Sequence, residues 1–304
     1  MIHEYALEPE LVATWGNRYD FRYFIEKFGL GQPRIVSRYP KRWKRLVWDA
    51  FRSDNELDRK RMEELLARLS ERMVRRLNHV WEPADSWLGN AHKEHARVPF
   101  HAILARENPA AHAWTLVPDE IEHSSPLWEV PRSITIARSA TAMATAVEAM
   151  LRIAEVVIFV DPHFRPESSR HRRPLEAFLR AVLDRRPLGA PGRVELQASL
   201  DRENAPTPEF FREKCERSLP RCIPTGLRLI LRRLRQRPGA ESLHNRYILT
   251  DIGGVIFGQG LDDGAAGETD DVSLMERAQF ERRWQQHASE TPEFELLEDA
   301  VEVP

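Results

Sequence analysis

Cysteine is the first scarcity. The 304 residues hold two, Cys215 and Cys222, which make neither a disulfide framework nor a zinc set and suit a reducing compartment. Long apolar runs are missing too. None approaches the roughly 20 residues of a membrane span, and the opening MIHEYALEPE lacks the basic and apolar regions of a secretion signal. A bacterial cytoplasm is the expected setting. There is no internal repeat and no low-complexity tract. Net charge is nearly absent, at −2, but that balance conceals an uneven distribution.

What is present describes an ordinary chain with a sizeable core: 42% hydrophobic and 30% charged residues, long enough for one large or two modest domains. Residues 1–130 carry 20 basic and 20 acidic side chains, residues 131–246 carry 22 against 13, and residues 247–304 carry 3 against 14. The middle third is a candidate surface for an anionic ligand, followed by an acidic tail. The plain alternative is a basic surface that the tail neutralises.

From Pro9 to about Arg106 the pattern reads as helical. Helices are expected from Pro9 to Phe28, Pro40 to Phe51, Asp54 to Val80 and Ser86 to Arg106; in the third, Leu57, Met62, Leu65, Leu66, Leu69, Met73 and Leu77 recur at helical spacing. Residues 107–131, with four prolines, read as a linker. Beyond it helices and strands alternate. Helices are expected at Ser139–Ile153, Leu175–Leu183, Glu209–Ser218 and Glu276–His287, and strands at Glu155–Val160, Arg193–Leu200, Gly226–Leu234, Tyr247–Thr250, Val255–Phe257 and Val272–Met275. That order implies an α/β layer architecture. The expected division is a mainly helical region, 1–130, and an α/β domain, 131–304.

The densest chemistry lies in LHNRYILTDIGGVIFGQGLDDG, residues 243–264. His244, Arg246 and Asp251 form His-x-Arg-x4-Asp, followed by Gly258-Gln259-Gly260. On a strand, alternation sends His244 and Arg246 to one face. A guanidinium grips phosphate oxygens through paired N–H bonds while an imidazole attacks or shuttles a proton, so the pair suits phosphate chemistry. Asp251 orients the histidine, pins the strand, or serves the turn before Gly253-Gly254. Gln259 can donate to a phosphate oxygen. Arg165, Arg170, Arg172 and Arg173 follow the strand end Asp161-Pro162-His163-Phe164, and Arg232, Arg233 and Arg235 precede the motif. With few aromatics among them, they suit backbone phosphates rather than base edges. His92 and His95 stand as His-Lys-Glu-His, which is not a zinc-protease spacing, and Gly258-x-Gly260 lacks the rest of a nucleotide loop. Neither metal nor cofactor is expected.

The motif resembles the phospholipase D superfamily signature, His-x-Lys-x4-Asp-x6-Gly-Ser with a following Asn. Residues 138–287 also follow that family's order of elements, with Asp161-Pro162-His163-Phe164 ending a strand and Phe280 and Trp284 on the closing helix. Three positions depart: Arg246 stands for Lys, Gln259 for Ser, and Asp262 or Leu261 for Asn. The resemblance implies a phospholipase D-like mixed sheet flanked by helices. It implies a metal-independent phosphodiesterase in which His244 forms a phosphohistidine, helped by Arg246, Asp251, Gln259 and Asp262. Asp271 is the candidate acidic partner of the histidine, with Asp270 and Glu268 as rivals. A second histidine completes this chemistry; the chain holds one motif copy, because Arg170 and Phe178 stand where the Asp of a copy starting at His163 or His171 would be. A homodimer is therefore implied. The basic surplus favours nucleic acid, DNA first, over lipid, and the kind of nuclease found in bacterial restriction or phage-defence modules. The second reading, motivated by the departures, is a degenerate site that binds DNA or a partner and cuts nothing. Residues 1–130 are left for gating, binding a partner protein or dimerisation.

Overall fold

A computed structural model of the protein describes residues 1–121, 125–201, 205–239, 241–289 and 293–304. These fall into two units, residues 2–131 and residues 132–304 together with Met1. Residues 122–124 of the expected linker lie outside the described residues.

The expectation of a mainly helical N-terminal region is corrected. Residues 2–131 build a five-stranded sheet from β1 (His3–Leu7), β2 (Arg34–Arg38), β3 (Met73–Arg75), β4 (Ala102–Leu104) and β5 (Thr115–Leu116). The order is β3-β2-β1-β4-β5, with every neighbour parallel. The strands are two to five residues long, and the buried ones show no alternation, so they leave no period-two trace. Between them run α1 (Pro9–Val12), α2 (Arg18–Phe24), α3 (Trp43–Ala50), α4 (Glu56–Glu71) and α5 (Trp87–Arg97). Two expected helices stop early because their apolar ends continue into β3 and β4.

Helix α4 starts where the Asn55 side chain accepts the Leu57 N–H at 2.8 Å, a cap for an otherwise orphaned donor. Its Met62, Leu65, Leu66 and Leu69 are buried in one cluster with Tyr5, Trp15 and Trp43. The Trp43 indole donates to the Leu7 carbonyl at 2.6 Å, which satisfies the one polar atom that such a ring buries. A second buried group is ionic: Arg76 lies 2.7 Å from Glu4 and 2.9 Å from Glu94 and over the Phe100 ring. His95 stacks on Trp114 with centroids 4.7 Å apart, and His92 meets the Thr115 hydroxyl at 3.0 Å.

The second unit is also α/β. Its strands are β6 (Ser133–Ala137), β7 (Val156–Val160), β8 (Arg193–Ser199), β9 (Leu229–Leu234), β10 (Arg246–Thr250), β11 (Gly253–Phe257), β12 (Thr269–Leu274) and β13 (Val301–Val303). Its helices are α6 (Ala140–Leu151), α7 (Ser169–Leu183), α8 (Pro208–Ser218) and α9 (Arg277–Ala288). The sheet order is β13-β9-β8-β7-β10-β11-β12-β6. Strands β7, β8 and β9 run parallel, as expected of buried runs such as VVIFV joined by helical crossovers. From β10 to β6 every neighbour is antiparallel.

Polarity therefore changes between β7 and β10, where β7 leaves the sheet and β10 enters it at the same end. That end collects the chemistry. Below it the core is aromatic: Phe178 of α7 stacks on Phe159 of β7 at 5.5 Å and meets Phe257 of β11 at 6.2 Å. A side chain on Gly254 would collide with Leu249, Met275 and Phe280, its Cβ coming within 2.8–3.2 Å of each, so this glycine lets α9 close on β10 and β11. Helix α7 begins six residues before the expected Leu175. Its first turns, Ser-Arg-His-Arg-Arg, carry little apolar period, and Pro174 inside it mimics a start.

Candidate phosphate-binding cleft

At the polarity change the second unit opens a cleft of ≈ 750 Å³. It is lined by Asp161, His163 and Arg165 after β7, Arg170 and His171 of α7, Ser199 at the end of β8 and Asp201 beyond it, Ser242, His244 and Arg246 around the start of β10, Gln259 and Asp262 after β11, and Arg138 after β6. Clefts at the carboxyl ends of parallel strands arise because the crossovers leave the sheet there in different directions.

His244 is exposed at this cleft. Its Nδ1 lies 3.0 Å from the Ser242 hydroxyl and 3.2 Å from the Ser242 carbonyl oxygen. A carbonyl oxygen only accepts, so the tautomer that satisfies it carries the proton on Nδ1 and leaves the lone pair on Nε2, as a nucleophile requires. Arg246 is two residues on, and its side chain forms no ion pair among the described residues; its Nε is buried without a hydrogen-bond partner. A guanidinium held this way lacks the anion its donors call for.

Asp262 would repel a phosphate if it stood alone. It does not: Arg138 pairs with one oxygen and Arg170 Nε lies 2.5 Å from the other. Gln259 is presented by the loop after β11, whose backbone N–H donates to Asp270 at 2.9 Å. Asp270 is buried, and that burial raises its pKa despite the backbone donors around it. The glycines flanking Gln259 leave little room for a side chain. A Cβ on Gly258 would stand 3.0 Å from the Asp270 carboxylate and one on Gly260, at φ +155°, only 2.5 Å from that of Asp262.

Two expected site residues lie elsewhere. Asp271 faces away from Asp270 on β12, as alternation demands, and takes the Thr135 hydroxyl of β6 at 2.6 Å. The acidic residue that reaches the Gln259 loop is its neighbour Asp270. Asp251 follows β10 at the far end, about 16 Å from Arg246 for a five-residue strand. One of its carboxylate oxygens accepts the N–H groups of Glu155 and Val156 at 2.8 and 3.0 Å. It fastens β10 to the start of β7 and has no place in the cleft. Burial pushes its pKa up.

Most of the expected phosphate-binding arginines are committed to this unit's own structure. Arg233, nearly inaccessible, is clamped by Glu298 at 2.6 Å and lies over the Phe211 ring. Arg232 pairs with buried Glu195 at 3.2 Å, and Arg235 stands 3.8 Å from Asp201. Arg172 donates to the Pro166 and Glu167 carbonyls at 3.0 and 2.6 Å, and Arg173 pairs with Asp263 at 2.7 Å. The set on β9 is thus no open phosphate surface: Glu298 and Glu302 of the acidic tail answer Arg233 and Arg228. Arg170 reaches the cleft engaged with Asp262. Arg165, exposed at the cleft, forms no ion pair among the described residues. Arg138, Ser242 and His163 also line the cleft, outside the site residues expected from the sequence. For His163 a signal was present, since His163-Phe164-Arg165 repeats the His-x-Arg spacing without the distal Asp.

No protein-family model matches the chain, and no curated protein matches it. One solved structure with which it shares some likeness is titled "Structure of TrmBL2, an archaeal chromatin protein, shows a novel mode of DNA binding"; identity is 15% over 56% of this chain and 57% of that one, with a TM-score of 0.26. The chain thus spans little more than half the length of that protein. So loose a superposition conveys neither fold nor function, and the cleft has to be read from its own residues.

Proposed function

We propose that the cleft of residues 132–304 binds a phosphodiester of nucleic acid and that the protein is a metal-independent phosphodiesterase. The carrying observation is the juxtaposition of His244, whose Nδ1 lies against the Ser242 hydroxyl and carbonyl, and Arg246, whose side chain forms no ion pair among the described residues and whose Nε is buried without a hydrogen-bond partner. Arg165, which forms no ion pair among the described residues, supplies a second cation, and Asp262 enters already neutralised. The likeness of His244, Arg246 and Asp251 to the phospholipase D signature, and of the element order to that family's, supports the same reading. Attack of Nε2 on phosphorus would give a phosphohistidine, with the arginines carrying the charge that gathers on the phosphoryl oxygens. In that family a second histidine protonates the leaving oxygen. Two copies of the chain would supply it from a second His244.

The deciding experiment is cleavage of single- and double-stranded oligonucleotides in EDTA by the intact protein and by His244→Ala. Cleavage that persists in EDTA and is lost in the variant is the expected result; cleavage that survives the substitution would overturn it. One observation favours a second reading, a site that binds nucleic acid without cutting: a carboxylate, Asp262, occupies the place of the signature's Asn and holds Arg170 away from a ligand. Equal binding by both proteins with no cleavage by either would establish that reading instead.

A further inference from the structure

We propose that His163 is the second catalytic histidine, so that one chain carries a complete site; the inference rests on the phosphodiesterase reading of the cleft. Strands β7 and β10 pair antiparallel, Val160 opposite Tyr247 and Phe159 opposite Ile248. His163 follows the end of β7 by three residues and His244 precedes the start of β10 by two, at the end where these strands pair. Both histidines are exposed, and both line the one cleft. The segment carrying His163 is held in a turn: its backbone N–H donates to the buried Asp161 carboxylate at 3.0 Å, and the Phe164 N–H to the Asp161 carbonyl at 3.1 Å. Phe164 is buried, so the turn is anchored while His163 and Arg165 on either side of it are left in the cleft. Two His-x-Arg pairs, 163/165 from the turn after β7 and 244/246 from the start of β10, therefore line the same cleft.

The chemistry balances with these groups alone. Nε2 of neutral His244 attacks phosphorus; the P–N bond forms as the bond to the leaving oxygen breaks, and imidazolium His163 gives that oxygen its proton. Water then attacks the phosphohistidine, neutral His163 takes the water's proton, the P–N bond breaks, and both side chains return to their starting states. Arg165 and Arg246 hold the non-bridging oxygens throughout.

The test compares intact protein and His163→Gln in EDTA on two probes, bis(p-nitrophenyl) phosphate and the dinucleotide thymidylyl-(3′,5′)-thymidine. Nitrophenolate leaves without a proton, whereas the dinucleotide's alkoxide needs one. The variant should therefore show a burst of nitrophenol close to one per chain, then stall. A phosphoryl adduct on His244 should accumulate, visible by intact-protein mass spectrometry, and dinucleotide turnover should fall by at least about 100-fold. Imidazole added to His163→Gly should restore part of that turnover, which guards against misfolding of one variant. Intact protein that is active, with His163→Gln equally active on both probes, overturns this inference alone and leaves the two-copy site standing. A folded variant inactive on both probes without a burst also overturns it. Intact protein inactive on both probes overturns the inference and the phosphodiesterase reading together.

Discussion

Asp262 decides how much positive charge the cleft offers. Its carboxylate ties down Arg138 and Arg170, so Asp262→Asn should release at least one guanidinium while keeping the side chain's shape. Affinity for a single-stranded oligonucleotide should rise at low salt. The salt slope of its binding constant should steepen by roughly 0.7 for each phosphate newly gripped, as read by fluorescence anisotropy across a salt series. Unchanged or weaker binding would refute the idea that this carboxylate masks the cleft. Arg165→Ala and Arg246→Ala should weaken the same binding. Arg233→Ala should leave it alone and instead lower stability by about 2–3 kcal/mol, because it strands Glu298 and uncovers Phe211; urea denaturation separates the two effects.

Among the elements, the join of β7 to β10 matters most, and Asp251 makes it. Since one oxygen of Asp251 accepts both N–H groups, Asp251→Asn can keep both bonds while removing a charge that burial disfavours. It should leave stability at pH 7 unchanged or slightly higher. Asp251→Ala should lose about 1–3 kcal/mol through two stranded donors, measurable by chemical denaturation. A loss as large in the Asn variant would mean that the charge itself does the fastening. The second unit is legible in the sequence because its helices and strands are long enough to show their periods: VVIFV and RYILT lie within one residue of the expected bounds. Strands β6 and β13 are not, one a half-exposed edge and the other three residues long. The first unit is not legible because strands of two to five residues, buried without alternation, cannot compete with the helical period of α4. At the site, spacing picks out His244 and Arg246 but does not show that Asp251 takes the N–H groups of Glu155 and Val156. Nor could it show that Glu195 and Glu298 pair with the two arginines of β9; charge patterning along a chain does not reveal who pairs with whom.

At the scale of the whole molecule, acid should act through its buried histidines. His287 of α9 is 2% exposed, and its Nδ1 meets the Gln197 amide oxygen at 2.7 Å. Because Gln197 gives its NH₂ to Glu195 and to the His287 carbonyl, that nitrogen carries the proton. Burial, then nearby Arg283, lowers its pKa to about 4. The native state thus holds it neutral while the unfolded chain protonates near 6.5. Its contribution is complete above pH 6.5 and is lost as pH falls from there toward 4. Between pH 7 and 5 that amounts to about 2 kcal/mol. His287→Gln should flatten the pH dependence of urea stability by about that much; an unaltered slope would assign the acid sensitivity to other groups. His95 in the first unit, lowered to about 4 by burial first and Arg76 next, should act in the same direction.

The two cysteines have a use in the laboratory. Both are buried in the second unit, and burial pushes the Cys215 thiol up to about 12 and raises that of Cys222. The folded protein should therefore be nearly silent to a thiol-reactive dye, since only a thiolate reacts and only an accessible one is met. Colour would then appear no faster than this unit opens, which makes the native chain a clock for its own breathing. A ligand seated in the cleft should slow that clock, whatever the ligand proves to be.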